Sequence, residues 1–423
     1  MTAARFRRAL IVIALVGLAL RLVYAYVIVK SRPLLGDALE FQQQANLLAS
    51  GHGLIQPTLW YGHHIARPSA DKPPVYPFLE AAISLLGGRT WAWHDIVDLV
   101  AGTATVWVTG LVGRRVGGHW VGLLAAGVAA AYPLLIAADG SLRSEPVFAL
   151  LVTLSLLAAL RLREAPSTGR AAVLGAVIGL AALTRAEALL LVVLLPFGLA
   201  GLRRGLISVA TCVLVLSPWL VRSWIAFGQP VLISNNVGGL LAGANCGPTY
   251  SGSLLGQWDL FCLPRARYAN QARESDRLRD LGLRYARRHS GRLPEVIAAR
   301  LGRSFDVFRP QQDWAFESFL EGRDLDVERV GVFVYYAVAL LAIAGTVVLV
   351  RRRGPWGILL SPLVLVVFVS ITGYGFTRFR VGAEPALIVL AAVALEAAAV
   401  RWIGARRRSP AAAPSPAPRE AVT

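Results

Sequence analysis

Long apolar runs separated by shorter polar segments set the pattern of this chain. They fall at 9–29, 93–112, 118–137, 146–161, 171–184, 186–202, 205–225, 330–350, 356–374 and 384–402. Each approaches or exceeds the roughly 20 residues needed to cross a bilayer as a helix, so ten spans are expected. The pair 171–184 and 186–202 is the weakest, because its first member is short and Arg185 interrupts it. The first run is too long for a signal-peptide core and lacks a clear cleavage site, so it reads as an anchor. Between the first two spans, Gly36-Asp37-Ala38-Leu39-Glu40 continues into Phe41, Ala45 and Leu48 and stops at Gly51. That apolar spacing predicts a short amphipathic helix beginning at Asp37.

Composition agrees with the pattern. Over 423 residues the chain is 56% hydrophobic, with a mean hydropathy of +0.56. Its net charge of +18 raises the question of nucleic acid, and the location of the charge answers it. Eighteen arginines, among them Arg5, Arg114, Arg115, Arg161, Arg204, Arg352 and Arg407, fall on alternate loops and the two tails, against only Glu164 and Glu420. Nearly all the excess therefore lies on one side of the membrane, which is the positive-inside pattern and excludes a nucleic-acid surface. Both termini are then cytoplasmic, with loops 30–92 and 226–329 outside.

The expected organisation follows. Residues 1–225 form a transmembrane catalytic module with its outside loop 30–92, and 226–329 an extracytoplasmic subdomain. Residues 330–408 add the C-terminal spans, and the Pro/Ala-rich 409–423 forms a disordered tail. Within the subdomain, Gln229 to Gln257 should be irregular or strand-like, and Pro264 to Phe308 helical with a break near Ser290-Gly291 and Pro294. Its fourteen arginines face twelve acids, so it reads as a solvated unit. Cys246 and Cys262 share it; an outside compartment permits a disulfide, and spacing alone leaves their pairing open. The fold class expected is all-α polytopic, with a small mixed extracytoplasmic subdomain.

Charge at membrane depth is costly, so polar groups repeated at the outward span ends point to a site. Arg143, Arg185, Arg222, Arg378 and Arg380 all lie there. Singly, each is explained by snorkelling or by pairing with Glu145, Glu187 or Glu384. Together they imply an anionic ligand, for which forked guanidinium donors suit a phosphate. Asp139 lies in the same outward turn as Arg143. Asp37 is the leading carboxylate for chemistry, although Asp37 with Glu40 also makes a capping box. Asp95 and Asp98 begin the second span, where a helix N-terminus accommodates carboxylates as structural groups. Asp71-Lys72-Pro73-Pro74-Val75-Tyr76-Pro77 carries three prolines, expected to forbid a regular helix and fix an extended path. Cofactor identity stays open. A divalent metal is compatible but not required, with Asp37, Asp71, His63 and His64 as its ligands.

The outside Asp37 after the first span, the Asp71-Lys72-Pro73-Pro74 motif and Arg143-Ser144-Glu145 resemble bacterial protein O-mannosyltransferase-like glycosyltransferases, the group that includes the lipid A aminoarabinose transferase. Ser217-Pro218-Trp219-Leu220-Val221-Arg222-Ser223-Trp224, Phe227-Gly228 and Ser234-Asn235-Asn236-Val237-Gly238-Gly239 are similar to another recurrent stretch of these proteins. The likeness covers roughly residues 9 to 310. It implies the C-type glycosyltransferase (GT-C) fold, Asp37 as catalytic base, and Asp71 and Lys72 holding the donor phosphate or a metal. Relatives often pair two acids at the first site, whereas here Asp37 has Glu40 a turn away. The partners implied are a polyprenyl-phosphate-linked sugar, membrane lipids and a cell-envelope acceptor, whether glycan, lipid or protein. The expected location is the bacterial plasma membrane. A lipid-linked-sugar flippase or secondary transporter is the alternative, but it usually shows two related halves, and none is evident here. An assembly protein presenting the 226–329 loop would leave the outward arginines unexplained.

Overall fold

The computed structural model describes residues 1–29, 34–264 and 270–408; the tail 409–423 lies outside them. Helix α1 (Ala3–Val23) crosses the apolar layer and ends in a π-helical turn, Tyr24–Ile28. Three short helices follow: α2 (Asp37–Ala49), α3 (Pro57–His63) and α4 (Val75–Leu85). Next come α5 (Trp91–Ala131), α6 (Pro133–Asp139), α7 (Glu145–Glu164), α8 (Thr168–Ala182), α9 (Leu191–Leu194) and α10 (Phe197–Phe227). The 226–329 segment holds α11 (Asn236–Ala244), α12 (Gln271–Arg288), α13 (Leu293–Ser304) and α14 (Pro310–Glu321). The last three are α15 (Leu325–Arg351), α16 (Trp356–Thr372) and α17 (Glu384–Arg408).

Six of these are long and apolar enough to span a membrane, and α8 and α16 are shorter apolar helices. The expected spans 93–112 and 118–137 are the two limbs of α5, folded back on each other at Gly117-Gly118, with α6 completing the second. The reversal depends on glycine. Gly118 takes φ +86, and a Cβ on Gly122 would lie 2.6 Å from the Gly110 carbonyl oxygen of the facing limb. The weak span 186–202 is not one helix. It breaks into a 3-10 turn, Ala186–Leu190, then α9, and the helix resumes at Phe197. Arg185 and Glu187 at its head are engaged elsewhere, as described below.

Helix α7 lies at the centre and is buried along most of its length, packed by α5 and α8, while α17 lies on α5 and α15. Outer helices expose apolar side chains, such as Val12 and Leu15 on α1 and Leu340 and Ile343 on α15. In a bilayer such faces meet hydrocarbon, so their exposure costs nothing.

Two local expectations are corrected. The prolines of 73–77 do not exclude a helix: α4 begins at Val75, with Pro74 as its N-cap and Pro77 in its first turn. Proline is tolerated there because first-turn N–H groups have no intrahelical partner. The Gln229–Gln257 region contains α11 and 3-10 turns, and no strand occurs among the described residues; Ile55 and Pro68 form one isolated bridge. The subdomain is thus helical rather than mixed. Its second part has the expected break, a 3-10 turn at Ser290–Arg292 between α12 and α13. Cys246 and Cys262 are disulfide-bonded.

Candidate active site

Asp37 is the first residue of α2, and its side chain does not cap the helix. Gly36, at φ +53, holds the N-cap position. The turn instead aims the carboxylate at three cations brought from far along the chain. Asp37 Oδ1 accepts from Lys72 Nζ at 2.5 Å, and Oδ2 from Arg143 Nη1 at 2.9 Å and Arg378 Nη1 at 3.1 Å. The capping box with Glu40 does not form. Glu40 Oε2 turns to Lys72 Nζ at 3.3 Å, and Asp71 Oδ2 meets the same nitrogen at 3.3 Å.

Each cation is held by its neighbours. Lys72 follows a backbone segment clamped from several sides. The Asn235 N–H donates to Ala70 O at 2.8 Å, Ser234 Oγ donates to Asp71 O, and Gln271 Oε1 accepts from Ala70 N–H. Arg222 belongs to this clamp and not to the cation group, because its guanidinium donates to Ser69 O and Leu54 O at 2.7 and 2.8 Å. Asn235 and Asn236 likewise support the backbone, the Asn236 N–H donating to Ser234 Oγ as α11 begins. Arg143 sits in the turn before α7. Its N–H donates to Asp98 Oδ2 at 3.2 Å, an oxygen that also accepts from Tyr76 Oη. Asp98 is therefore a structural group, as read from its place at the head of the second span. Arg378 lies on the 3-10 turn Thr377–Arg380 and donates to Tyr374 Oη at 3.0 Å.

Arg185 stands one step away. It pairs with Glu145 Oε1 at 2.6 Å and Glu187 Oε1 at 2.7 Å, and Glu145 Oε1 lies 3.8 Å from Arg378 Nε. Arg380 is not in the cluster. Fully buried, it pairs with Glu384 and with Asp306 and lies over the Tyr335 ring. Asp139 is likewise a packing group, ion-paired with Arg21 Nε at 2.6 Å between α6 and α1. His63 and His64 are exposed at the end of α3, where His64 meets Trp60 edge-on.

Glu321, at the end of α14, has no counterpart among the expected site residues. Its Oε1 lies 3.3 Å from Arg378 Nη1 and 3.7 Å from Arg143 Nη1, and its Oε2 lies 2.9 Å from Arg323 Nη2. The adjacent Leu320 carbonyl accepts from Arg143 Nη2 at 3.0 Å. The 226–329 segment thus closes over the arginines. The available signal was the run Glu317, Glu321, Arg323, Glu328 beside a span, which the near-neutral total charge of the loop concealed.

Burial alone would raise the pKa of Asp37, but Lys72, Arg378 and Arg143 outweigh it and hold the carboxyl well below its ordinary range. Burial pushes Glu40 up, aided by Asp71 and Asp37 and opposed by Lys72. Lys72 is raised because its three carboxylates outweigh burial. As for a metal, Asp37, Glu40 and Asp71 converge on the Lys72 ammonium, and no other group of three or more His, Cys, Asp or Glu side chains among the described residues is placed to hold one.

Residues 71–223 match the family model described as dolichyl-phosphate-mannose-protein mannosyltransferase. The match begins at Asp71 and contains Lys72, Arg143 and Arg185; Asp37 and Arg378 lie outside it. No curated protein sequence matches the chain. Among solved structures, the oligosaccharyltransferase AglB of Archaeoglobus fulgidus with an inhibitory peptide and a dolichol-phosphate superposes with TM-score 0.56 at 12% identity, over 97% of this chain and 52% of that one. The same enzyme tethered to an acceptor peptide gives 0.55 at 14%, over 96% and 51%. ArnT of Cupriavidus metallidurans bound to undecaprenyl phosphate gives 0.43 at 16%, over 97% and 82%. The chain spans about half the length of the oligosaccharyltransferase. Its residues 71–223 carry the sequence pattern of the mannosyltransferase family, and the whole is a multi-pass membrane protein with the C-type glycosyltransferase fold.

Proposed function

We propose that the protein is an inverting glycosyltransferase that moves a sugar from a polyprenyl-phosphate donor to a cell-envelope acceptor on the extracytoplasmic face of a bacterial plasma membrane, with both termini cytoplasmic. The observation that carries this reading is the convergence of Lys72, Arg143 and Arg378 on the Asp37 carboxylate. Three cations around one small anion form a ready-made phosphate site, in which Asp37 stands where phosphate oxygens would bind. In the reaction the acceptor oxygen attacks the anomeric carbon and the bond from that carbon to the phosphate oxygen breaks. The electron pair leaves with the polyprenyl phosphate, and the acceptor's proton passes to Asp37.

Lys72, Arg143 and Arg378 stabilise the charge that grows on the departing phosphate. Arg185 acts indirectly, through Glu145. A carboxylate gripped by three cations is a weak base. The donor phosphate releases it by taking those cations as its own partners, so Asp37 gains basicity only when the donor is in place. Donor binding before acceptor activation follows from that exchange. The test is to incubate the purified protein with a panel of polyprenyl-phosphate sugars and candidate acceptors and to identify transferred product by mass spectrometry. Transfer from any such donor, abolished in Asp37→Asn, supports the reading. Absence of transfer across the panel, together with no binding of polyprenyl phosphate, would reject it.

A further inference from the structure

The opposite end of the bundle contains a second polar constellation that sugar transfer does not use. From Asp98 to Arg114 on α5, and from Glu145 to Arg161 on α7, the chain runs sixteen residues, about 24 Å of helix. That distance approaches the thickness of the hydrocarbon layer. At this far end two adjoining cavities, of about 310 and 420 Å³, share Arg115 and Arg161 in their walls. Arg114 completes the first rim and Arg170, from the start of α8, the second. The acid lining them, among the described residues, is Glu164, ion-paired with Arg115. Four guanidinium groups from three helices thus face one carboxylate.

The larger cavity is not polar throughout. Below its arginine rim the wall is apolar, made of Leu154, Leu157 and Ala158 on α7 and Val173 and Val177 on α8. Val173 is 55% exposed on this face, which lies within the apolar layer. The groove therefore has a cationic mouth at interface depth and an apolar channel running down between two helices. Snorkelling arginines on a plain helix surface give the first feature without the second. Arg170 is fixed across the mouth, donating to Arg161 O at 3.1 Å and Ala165 O at 2.6 Å, so the rim has a defined shape.

We propose that the groove between α7 and α8 is a binding site for an anionic diacyl phospholipid, its phosphodiester held by Arg115, Arg161 and Arg170 and an acyl chain lying on Leu154, Leu157 and Val173. The committed occupant is a membrane lipid. Charge complementarity selects an anionic headgroup, and the apolar wall continuous with the mouth selects an attached chain. The site stands apart from the Asp37 cluster and does not depend on the reaction assigned there.

Native mass spectrometry of the full-length protein, extracted in detergent and titrated with phosphatidylglycerol or phosphatidylcholine of identical chains, tests this. One phosphatidylglycerol should stay bound under conditions that strip phosphatidylcholine. Basic side chains near a membrane contribute about fivefold each in affinity, so the double variant Arg115→Ala/Arg161→Ala should bind roughly 25-fold more weakly. Arg351→Ala/Arg353→Ala, which removes two exposed arginines from the same face outside the groove, should bind as the wild type does. Val173→Trp fills the channel without changing any charge and should also lose the lipid. It decides the matter if the double arginine variant fails to fold. Equal retention of the two lipids, wild-type affinity in Val173→Trp, or equal losses in the two arginine pairs would each overturn the proposal. Thermal protection by inorganic pyrophosphate alone matching that by phosphatidylglycerol would overturn the assignment to a lipid.

Discussion

Replacing Asp37 by Asn separates its possible roles, and the structure changes what each forecasts. Because Gly36 occupies the N-cap and Asp37 makes no cap bond, neither Asn nor Ala at position 37 costs the roughly 1 kcal/mol of a lost cap. The charge balance also survives. Lys72 keeps Glu40 and Asp71, Arg143 and Arg378 keep Glu321, and Arg378 keeps Glu145 at 3.8 Å. The Asp37 side chain is 32% exposed, so water screens the pairs it loses and the thermal midpoint should move little. Activity should respond differently. An amide cannot take the acceptor's proton, and removing a general base typically costs 100-fold or more. Phosphate binding should strengthen, because the carboxylate and the donor phosphate compete for the same three cations. Allowing about 1.4 kcal/mol for the competing charge after screening, polyprenyl phosphate should bind about tenfold more tightly to Asp37→Asn. The assay pairs initial transfer rate with a direct titration of polyprenyl phosphate into variant and wild type in the same detergent. A fully active Asp37→Asn enzyme would refute the base assignment. Unchanged or weaker phosphate binding would refute the exchange of Asp37 for phosphate.

Other parts of the reasoning can be tested separately. Arg222→Ala should leave the KM for donor unchanged while lowering the thermal midpoint, because it strips the donors from Ser69 O and Leu54 O, a loss of about 1–3 kcal/mol for buried acceptors; a large rise in KM with no loss of stability would restore it as a phosphate ligand. Glu321→Gln should reduce kcat/KM about tenfold by loosening Arg143 and Arg378, yet remain folded because Arg323 keeps Glu328 at 3.0 Å; unaltered kinetics would dismiss it as a positioning residue. In the pH profile of kcat/KM, which reports the free enzyme, the acid limb should lie below the ordinary carboxylate range, since Asp37 stays ionised until the pH falls through its lowered pKa. The acid limb of kcat should lie higher, because bound donor withdraws the cations; coincident limbs would argue against that. Reducing the Cys246–Cys262 disulfide, with fifteen residues between its partners, should cost about 3 kcal/mol at most of subdomain stability, read as an earlier thermal transition under reductant.

What the sequence determined by itself was whatever depends on neighbours along the chain. Apolar runs of membrane-spanning length name helices wherever they fold, and the one-sided arginines give them an expected orientation, because both signals are read against the bilayer rather than against the rest of the protein. The same locality made the helix beginning at Asp37 legible, whereas Lys72 was singled out through the resemblance of its Asp71-Lys72-Pro73-Pro74 motif to a known family. Locality failed at 186–202, where hydropathy gives a span but Arg185 and Glu187 are drawn together and into contact with Glu145, and the helix breaks to let them.

Which arginines share the site was a tertiary decision. Arg143, Arg222, Arg378 and Arg380 look alike in sequence, each at an outward span end. Only two of the four touch Asp37, because contact depends on how turns 106 and 341 residues away pack over α2. Arg222 was taken by backbone carbonyls and Arg380 by Glu384 and Asp306. Glu321 shows the limit most plainly. It lies in a loop whose overall charge nearly cancels, and it becomes part of the site only when α14 folds over Arg143 and Arg378. Long-range ion pairs of this kind leave no periodicity in a chain, since their partners are chosen by packing and not by spacing.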